Sequence, residues 1–228
     1  MEQSSVVAST SVLMVMLVAT RVLGFVREQV MASVFGAGLL TDAYVVASAI
    51  AGFAFAAITA VIGSAFLPVY AAMRARGEHA EAARFARSVL ALTVAVCAIV
   101  ATAGIALAPV LVRLFAPGFE PEVARIAVKL TATLLPAVAV GTVTALTTAS
   151  LHAHKIFGLP AASPLLQNLM TIIAVVMLSA RFSIWAAALG MVVGTIAGQV
   201  IQVPAIKKAR VISGTGFDFR GDAVHKML

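Results

Sequence analysis

Residues 20–42 read TRVLGFVREQVMASVFGAGLLTD, and this stretch decides how the rest of the chain is interpreted. It follows residues 5–19, which carry no charge, and it leads into another apolar run. Its ionisable residues are Arg21, Arg27, Glu28 and Asp42. A charged group at membrane depth costs about 2.5–3.5 kcal/mol on insertion scales and usually faces a bundle interior or an aqueous cavity. These residues therefore indicate a membrane protein that handles a polar ligand.

The composition is that of an integral membrane protein. Of 228 residues, 62% are hydrophobic and 11% are charged, and the mean hydropathy is +1.07. Soluble domains are about 45–50% apolar and about 25% charged. Apolar runs near the length of a bilayer span predict helices, whereas a β-barrel would show short alternating segments. We therefore expect an all-α, polytopic membrane protein. Without a nucleophile–base pair, a P-loop or a zinc motif, we do not expect an enzyme.

The apolar pattern predicts six transmembrane helices over residues 1–206, with a cytoplasmic basic tail at 207–228 that could begin a linker helix. The spans lie at about 6–35, 42–73, 85–115, 122–151, 164–180 and 184–206. No Lys or Arg precedes Arg21, which argues against a cleavable signal peptide. The chain ends without an obvious terminating feature and looks cut.

The net charge of +7 reflects membrane topology rather than a nucleic-acid partner, because the basic residues lie mainly in short loops. About ten Lys and Arg follow spans two and four or lie in the tail, against about five on the other side. The excess marks the cytoplasmic side. Both termini are then predicted to be cytoplasmic.

Arg21 and Glu28 are seven residues apart and share one helix face, with Arg27 about 120° away. One interpretation places Arg21 in a central cavity, where it holds an anionic group, with Glu28 and Arg27 further along the helix. The alternative ends a short span at Arg21, whose side chain would reach the interface. The apolar residues 30–35 favour the first interpretation.

Thr41 and Asp42 open the second span. A threonine cap followed by a carboxylate in the first turn is ordinary helix-terminus chemistry. The alternative is a role in gating or ion coupling for Asp42, with Glu28 as a second candidate. The residues alone favour the structural interpretation.

Several polar or small residues in the later spans predict packing contacts. In span six a glycine recurs every four positions, at Gly190, Gly194 and Gly198. Such small residues permit close contact between helices. Asn168 predicts a hydrogen bond between helices. Thr144 and Thr148 share a face that either lines a cavity or bonds carbonyls of its own helix.

His152 and His154 could form a pair of metal ligands, but no third ligand accompanies them. We therefore predict that they lie in a solvated loop over 152–163. Another loop is predicted to carry the arginines that follow span two, at positions 74, 76, 84 and 87. We expect no metal site and no cofactor, and we leave open a coupling cation or the membrane potential as the driving force.

Several segments together resemble the MurJ/MviN family of lipid II flippases. They are RVLGFVRE at 21–28, FGAG at 35–38, TDAY at 41–44, AFLP at 65–68, APGF at 116–119 and PLLQN at 164–168. The resemblance covers essentially the whole chain, and its first block is specific. The family belongs to a superfamily that also contains multidrug/cation antiporters, and its members have two six-helix lobes around a central cationic cavity.

The resemblance implies a protein of the bacterial inner membrane that moves lipid-linked peptidoglycan precursor by alternating access, in contact with membrane lipids and without nucleic acid. It implies that Arg21 and Arg27 hold the pyrophosphate of the lipid and that Asp42 is functionally important. An arginine–phosphate pair is strong and bidentate, which suits this role.

The chain departs from the family in two ways. An arginine usually found in span two is replaced by the uncharged run 52–57, GFAFAA. The sequence matches only the first lobe, so we expect either a fragment of a longer protein or a half-transporter whose second lobe comes from another copy or another chain. The alternatives are a non-transporting partner or scaffold in cell-wall synthesis, which these departures favour, and a cation-coupled antiporter, which the arginines disfavour.

Overall fold

A computed structural model describes the backbone of residues 2–212 and the side chains from Met14 onward. All regular secondary structure in this part of the chain is helical, which confirms the all-α prediction. The helices are α1 (Glu2–Phe35), α2 (Leu39–Val61), α3 (Leu67–Ala75), α4 (His79–Phe115), α5 (Pro121–Ala153), α6 (Gly158–Phe182), α7 (Trp185–Val200) and α8 (Val203–Lys208). Most of the predicted basic tail, residues 213–228, lies outside the described residues.

Five helical stretches of the described chain are long and apolar enough to cross a membrane, whereas the sequence predicts six spans. They are Leu39–Ala75, His79–Phe115, Pro121–Ala153, Gly158–Phe182 and Trp185–Lys208. α1 is 34 residues long, but its side chains before Met14 are outside the described part, so its crossing stays a prediction. The chain is thus a polytopic α-helical membrane protein.

α5 is the central helix of the bundle, because it packs against α2, α4 and α7. Its most apolar stretch is 44% buried, a larger share than in the other four candidate spans. Its buried hydroxyl groups bond carbonyls of the preceding turn, as Thr131 and Thr142 do at 2.8 Å, so these hydroxyls have hydrogen-bond partners in the interior of the bundle. α1 joins the bundle mainly through α6, which leaves its other faces open.

The connecting turns lie at two opposite ends of the bundle. The Arg76 end comprises the turns at 76–78 and 154–157, and the Pro117 end comprises the turns at 36–38, 116–120 and 183–184. An aromatic stack closes the Arg76 end, where the ring of Phe66 lies 5.1 Å from that of Tyr70 and 5.6 Å from that of Phe85. All three side chains are buried.

A π-helical turn at Ile62–Phe66 joins α2 to α3 without a break. The N–H of Leu67 bonds the carbonyl of Ile62, five residues earlier. Pro68 follows directly, has no N–H to donate and would clash with the carbonyl four residues before it in a regular helix. The wider turn moves the backbone past this clash. Such π-turns inside helices often occur at functional sites.

Three glycines let α7 approach α6 closely. A Cβ atom added at Gly190 would lie 2.7 Å from the Cβ of Ala174. One added at Gly194 would lie 2.8 Å from the Cα of Gln167. At Gly198 the nearest atom would be a backbone oxygen of α6 at 3.2 Å. At Gly190 and Gly194, no larger residue fits between α6 and α7 without moving one of the two helices.

Both loops predicted at the Arg76 end are much shorter in the structure. The turn after α5 covers only 154–157, and α6 begins at Gly158 and continues through Pro164. Pro160 is tolerated in the first turn, where a helix has no use for its N–H. The turn after α3 covers only 76–78, so Arg84 and Arg87 belong to α4. Helices continue past the apolar span because polar side chains can solvate their ends.

Candidate functional site: a cavity beside Arg27

Arg27 lies at the contact between α1 and α6. Its Nη1 atom donates a hydrogen bond of 3.1 Å to Oδ1 of Asn168, and its Nη2 atom forms an ion pair with Glu28. Asn168 is buried, and its amide group also donates to the carbonyl of Thr20 at 3.4 Å. Asn168 therefore joins the two helices, which confirms the predicted interhelical bond, and holds the guanidinium at the edge of the bundle.

The guanidinium of Arg27 borders a cavity of about 580 Å³ enclosed chiefly by α2, α5, α6 and α7. Most of the wall is apolar and is built from small residues such as Ala51, Gly141 and Ala145. The polar residues in the wall are Arg27, Thr144, Thr148, His152, Ser163, Gln167 and Thr195. Arg27 is the only Lys or Arg side chain among the described lining residues. The cavity combines apolar volume with one cationic group.

A hydrogen-bond network built on two glutamines stiffens the wall. Gln167 donates to the hydroxyl of Thr195 at 2.9 Å, across the α6–α7 contact. Gln202, which is completely buried, donates to the hydroxyls of Thr148 and Ser163, each at 2.9 Å. Buried polar groups of this kind rigidify a packed interior when every one has a partner. The network connects α5, α6 and the end of α7.

The sequence-predicted site residues do not all meet. Arg27 and Glu28 form an ion pair, and Arg27 borders the cavity. Arg21 is exposed on a different face of α1 and does not line the cavity. Asp42 is exposed in the first turn of α2. Within residues 14–212, neither Arg21 nor Asp42 forms an ion pair.

The predicted threonine cap of span two is wrong. α2 begins at Leu39 with Gly38 as its N-cap, and no side chain caps it. The hydroxyl of Thr41 instead donates to the carbonyl of Gly36 at 2.9 Å, across the turn. The turn is formed by glycines, and Gly36 has a φ of +66°, which favours glycine. The helix therefore starts earlier than the threonine suggests.

The predicted solvated loop for the two histidines is also wrong. His152 belongs to the last turn of α5 and lines the cavity. His154 follows that helix, and its Nε2 lies 2.9 Å from the hydroxyl oxygen of Tyr70. Its Nδ1 lies 3.4 Å from a guanidinium nitrogen of Arg74. Burial, with the positive charges of Arg74 and His79, lowers the pKa of His154 below its usual 6.5.

The structure places at the cavity several residues that the sequence analysis missed. Gln167 and Thr195 line the cavity, and Gln202 bonds two lining residues. None of the three was assigned a role, although uncharged polar side chains in apolar helices commonly bond between helices. The face shared by Thr144 and Thr148 does line the cavity, and Thr144 also bonds a carbonyl of its own helix at 2.8 Å. In residues 14–212 no three His, Cys, Asp or Glu side chains converge as metal ligands would.

Comparison with protein-family models identifies residues 31–228 with the model described as lipid II flippase MurJ. The chain belongs to the MurJ family. The description names a flippase, hence a transporter and not an enzyme, in agreement with the expectation from the sequence. The match includes Asp42 and begins just after Arg21, Arg27 and Glu28.

A solved structure titled "Lipid II flippase MurJ, inward closed conformation" is similar to this chain, with a TM-score of 0.77 and 22% sequence identity. The similarity covers 94% of this chain and 45% of that one, so the chain spans less than half of that relative's length. At this identity the likeness shows the fold. A search of curated proteins gave no match. Fold and family together make this a multi-pass protein of the inner membrane.

Proposed function

We propose that this chain forms one lobe of a flippase that carries a lipid-linked peptidoglycan precursor, lipid II, across the cytoplasmic membrane by alternating access. The observation that carries the proposal is Arg27, a cation held by Asn168 at the edge of an apolar cavity. Family membership supports the substrate class. The partners proposed with it are the lipid-linked saccharide, membrane lipids and a second lobe.

Arg27 is suited to bind the pyrophosphate. A guanidinium has five N–H donors, and the two described bonds leave others for a ligand. Glu28 is its present counter-charge, and 64% of the Glu28 side chain is exposed. An arriving pyrophosphate can replace this carboxylate without moving α1, because Asn168 still holds the other side of the guanidinium. Charge-assisted bidentate bonds then hold the phosphate.

Arg21 and Asp42 are proposed as accessory groups. Arg21 lies about 9 Å from Arg27 along the axis of α1, at 1.5 Å per residue, and about 120° around it. The exposed face of α1 that carries Arg21 would face the second lobe, so Arg21 would receive the pyrophosphate at a different stage from Arg27. Asp42 and Glu28 would act in gating or in coupling to a cation. The basic side would be cytoplasmic, with both termini on it.

The test is lipid II flipping in cells whose own flippase is depleted, with headgroup exposure and the amount of inserted protein as readouts. Arg27→Gln is expected to abolish flipping and leave insertion intact. Arg27→Lys is expected to retain a fraction, because an ammonium binds phosphate as a point charge. Arg21→Ala is expected to abolish flipping as well. Arg181→Gln, which removes an exposed cation from the end of α6, is the matched control. Normal headgroup exposure in Arg27→Gln would overturn the proposal.

A non-transporting partner of the cell-wall machinery is the second candidate. It is favoured by the cavity wall contributed by α2, where Gly52 and Phe55 stand and no charged side chain is present. A chain of this kind would bind cell-wall proteins but would not restore flipping. An antiporter for amphipathic cations is disfavoured, because Arg27 would repel such cargo. Resistance to cationic drugs, measured with and without the chain, distinguishes this third candidate.

A further inference from the structure

We infer that the crevice between the end of α4 and the start of α5 binds the phosphate headgroup of an anionic phospholipid. The crevice lies at the Pro117 end and has a volume of about 630 Å³. Three cationic side chains line it, namely Arg113 from α4 and Arg125 and Lys129 from α5. It is separate from the cavity beside Arg27, with which it shares no lining residue.

The convergence of these cations is unexpected for this side of the protein. The Pro117 end is the side poorer in Lys and Arg, with about five in all if Arg27 is included. Three of them line this one crevice. Arg125 and Lys129 are one helical turn apart and lie on one face of α5, where they would repel each other in the absence of an anion. An anion bound between Arg125 and Lys129 would remove this repulsion.

No carboxylate of the described chain neutralises the three cations. Glu120 and Glu122 lie near the same turn, but neither lines the crevice nor forms an ion pair. Arg113, Arg125 and Lys129 are all exposed. Their charges are therefore available to a ligand from outside the protein. Two guanidinium groups and one ammonium group suit a phosphate, which both arginines can bind in bidentate geometry.

The surroundings select a lipid rather than a soluble anion. Lys129 lies about 12 Å along α5 from its first residue, so the cations are spread along the first part of a helix that is long and apolar enough to cross a membrane. Apolar side chains are exposed beside them, with Val110 at 61% and Leu114 at 73%. Acyl chains can lie along this surface while the headgroup stays in the crevice. A soluble anion would use the charges but not the apolar flank.

The test measures lipid retention by native mass spectrometry on the 228-residue chain, released from micelles that contain equal amounts of phosphatidylglycerol and phosphatidylcholine. The wild type is expected to retain phosphatidylglycerol preferentially. The triple variant Arg113→Gln/Arg125→Gln/Lys129→Gln is expected to lose this preference by on the order of a hundredfold, since each basic residue near a membrane contributes about a factor of five. Size-exclusion and circular-dichroism profiles verify that each variant is folded.

Single variants provide the matched comparison. Arg125→Gln and Arg181→Gln each remove one exposed cation from the same side, but only Arg125 lines the crevice. The first is expected to reduce phosphatidylglycerol retention about fivefold and the second to leave it unchanged. Equal losses in both, or an unchanged preference in the triple variant, would overturn the inference. So would inorganic pyrophosphate that displaces phosphatidylglycerol completely at millimolar concentration, because that result assigns the crevice to a soluble anion.

Discussion

Asn168 Oδ1 accepts a hydrogen bond of 3.1 Å from Nη1 of Arg27, across 141 residues of sequence. The bond is formed at the face of α1 that packs on α6, and it holds the guanidinium of Arg27 beside the cavity. Replacement of Asn168 by Leu keeps the branched shape and the number of side-chain heavy atoms and removes the acceptor. A hydrogen bond to a charged group contributes about 1.5–3 kcal/mol, so we expect a loss of that order in unfolding free energy. Reversible unfolding in detergent measures it.

Leu169→Ala is the control for this prediction, because Leu169 is the next residue on α6 and is 41% exposed. Its unfolding free energy should change little beside that of Asn168→Leu. Equal unfolding free energies for the wild type and Asn168→Leu would show that the Arg27 contact does not stabilise the α1–α6 packing.

Gly194→Ala is expected to destabilise the bundle. The new Cβ would lie 2.8 Å from the backbone of Gln167, and neither backbone can move without separating α6 from α7. Overpacking of this kind costs about 1–3 kcal/mol. The control is Gly52→Ala on α2, where no atom lies within 4 Å of the added Cβ. That variant should be neutral or slightly stabilised, since alanine is the better helix former. Thermal unfolding of both variants measures the difference in their stability, and equal melting temperatures would contradict the prediction.

Gln202→Leu is expected to loosen the cavity wall. The substitution removes the bonds from Gln202 to Thr148 and Ser163 and the bond that its Oε1 accepts from Thr147. Each buried group that is left without a hydrogen-bond partner lowers the unfolding free energy by about 1–3 kcal/mol. Hydrogen exchange in α6 and α7 should become faster. Gln199→Leu, which removes only a contact of 3.4 Å, is the control, and equal exchange in the two variants would contradict the assignment.

We expect acid to destabilise the Arg76 end through protonation of His154. Its pKa is lowered in the folded protein by burial first and by Arg74 and His79 next, so below pH 6.5 the unfolded chain binds a proton that the native state resists. Stability is therefore complete above pH 6.5 and falls as the pH drops toward the lowered pKa. Melting temperatures between pH 7.5 and 5.5 measure the effect. His154→Gln should flatten the dependence, and an unchanged slope would assign the acid sensitivity to other groups.

The sequence alone predicted the fold class correctly, because the membrane leaves few structures available to an apolar chain. Backbone polar groups in lipid must be satisfied within the chain, so long apolar runs form helices. The glycine repeat in span six and Asn168 were also informative, since small or uncharged polar residues in such helices commonly meet a neighbouring helix. These features depend on local pattern, which the sequence contains.

Only the tertiary structure decided which residues line the cavity. Arg21 and Arg27 are similar in sequence terms, but they point about 120° apart, and the rotation of α1 against α6 places only Arg27 at the cavity. The tertiary structure also decided the hydrogen-bond partners of Gln202 and His154, because Thr148 and Tyr70 lie more than fifty residues away in sequence. The rotation of one helix against another depends on all the side chains at their contact. A helix's own periodicity describes its faces but does not say which face meets which neighbour.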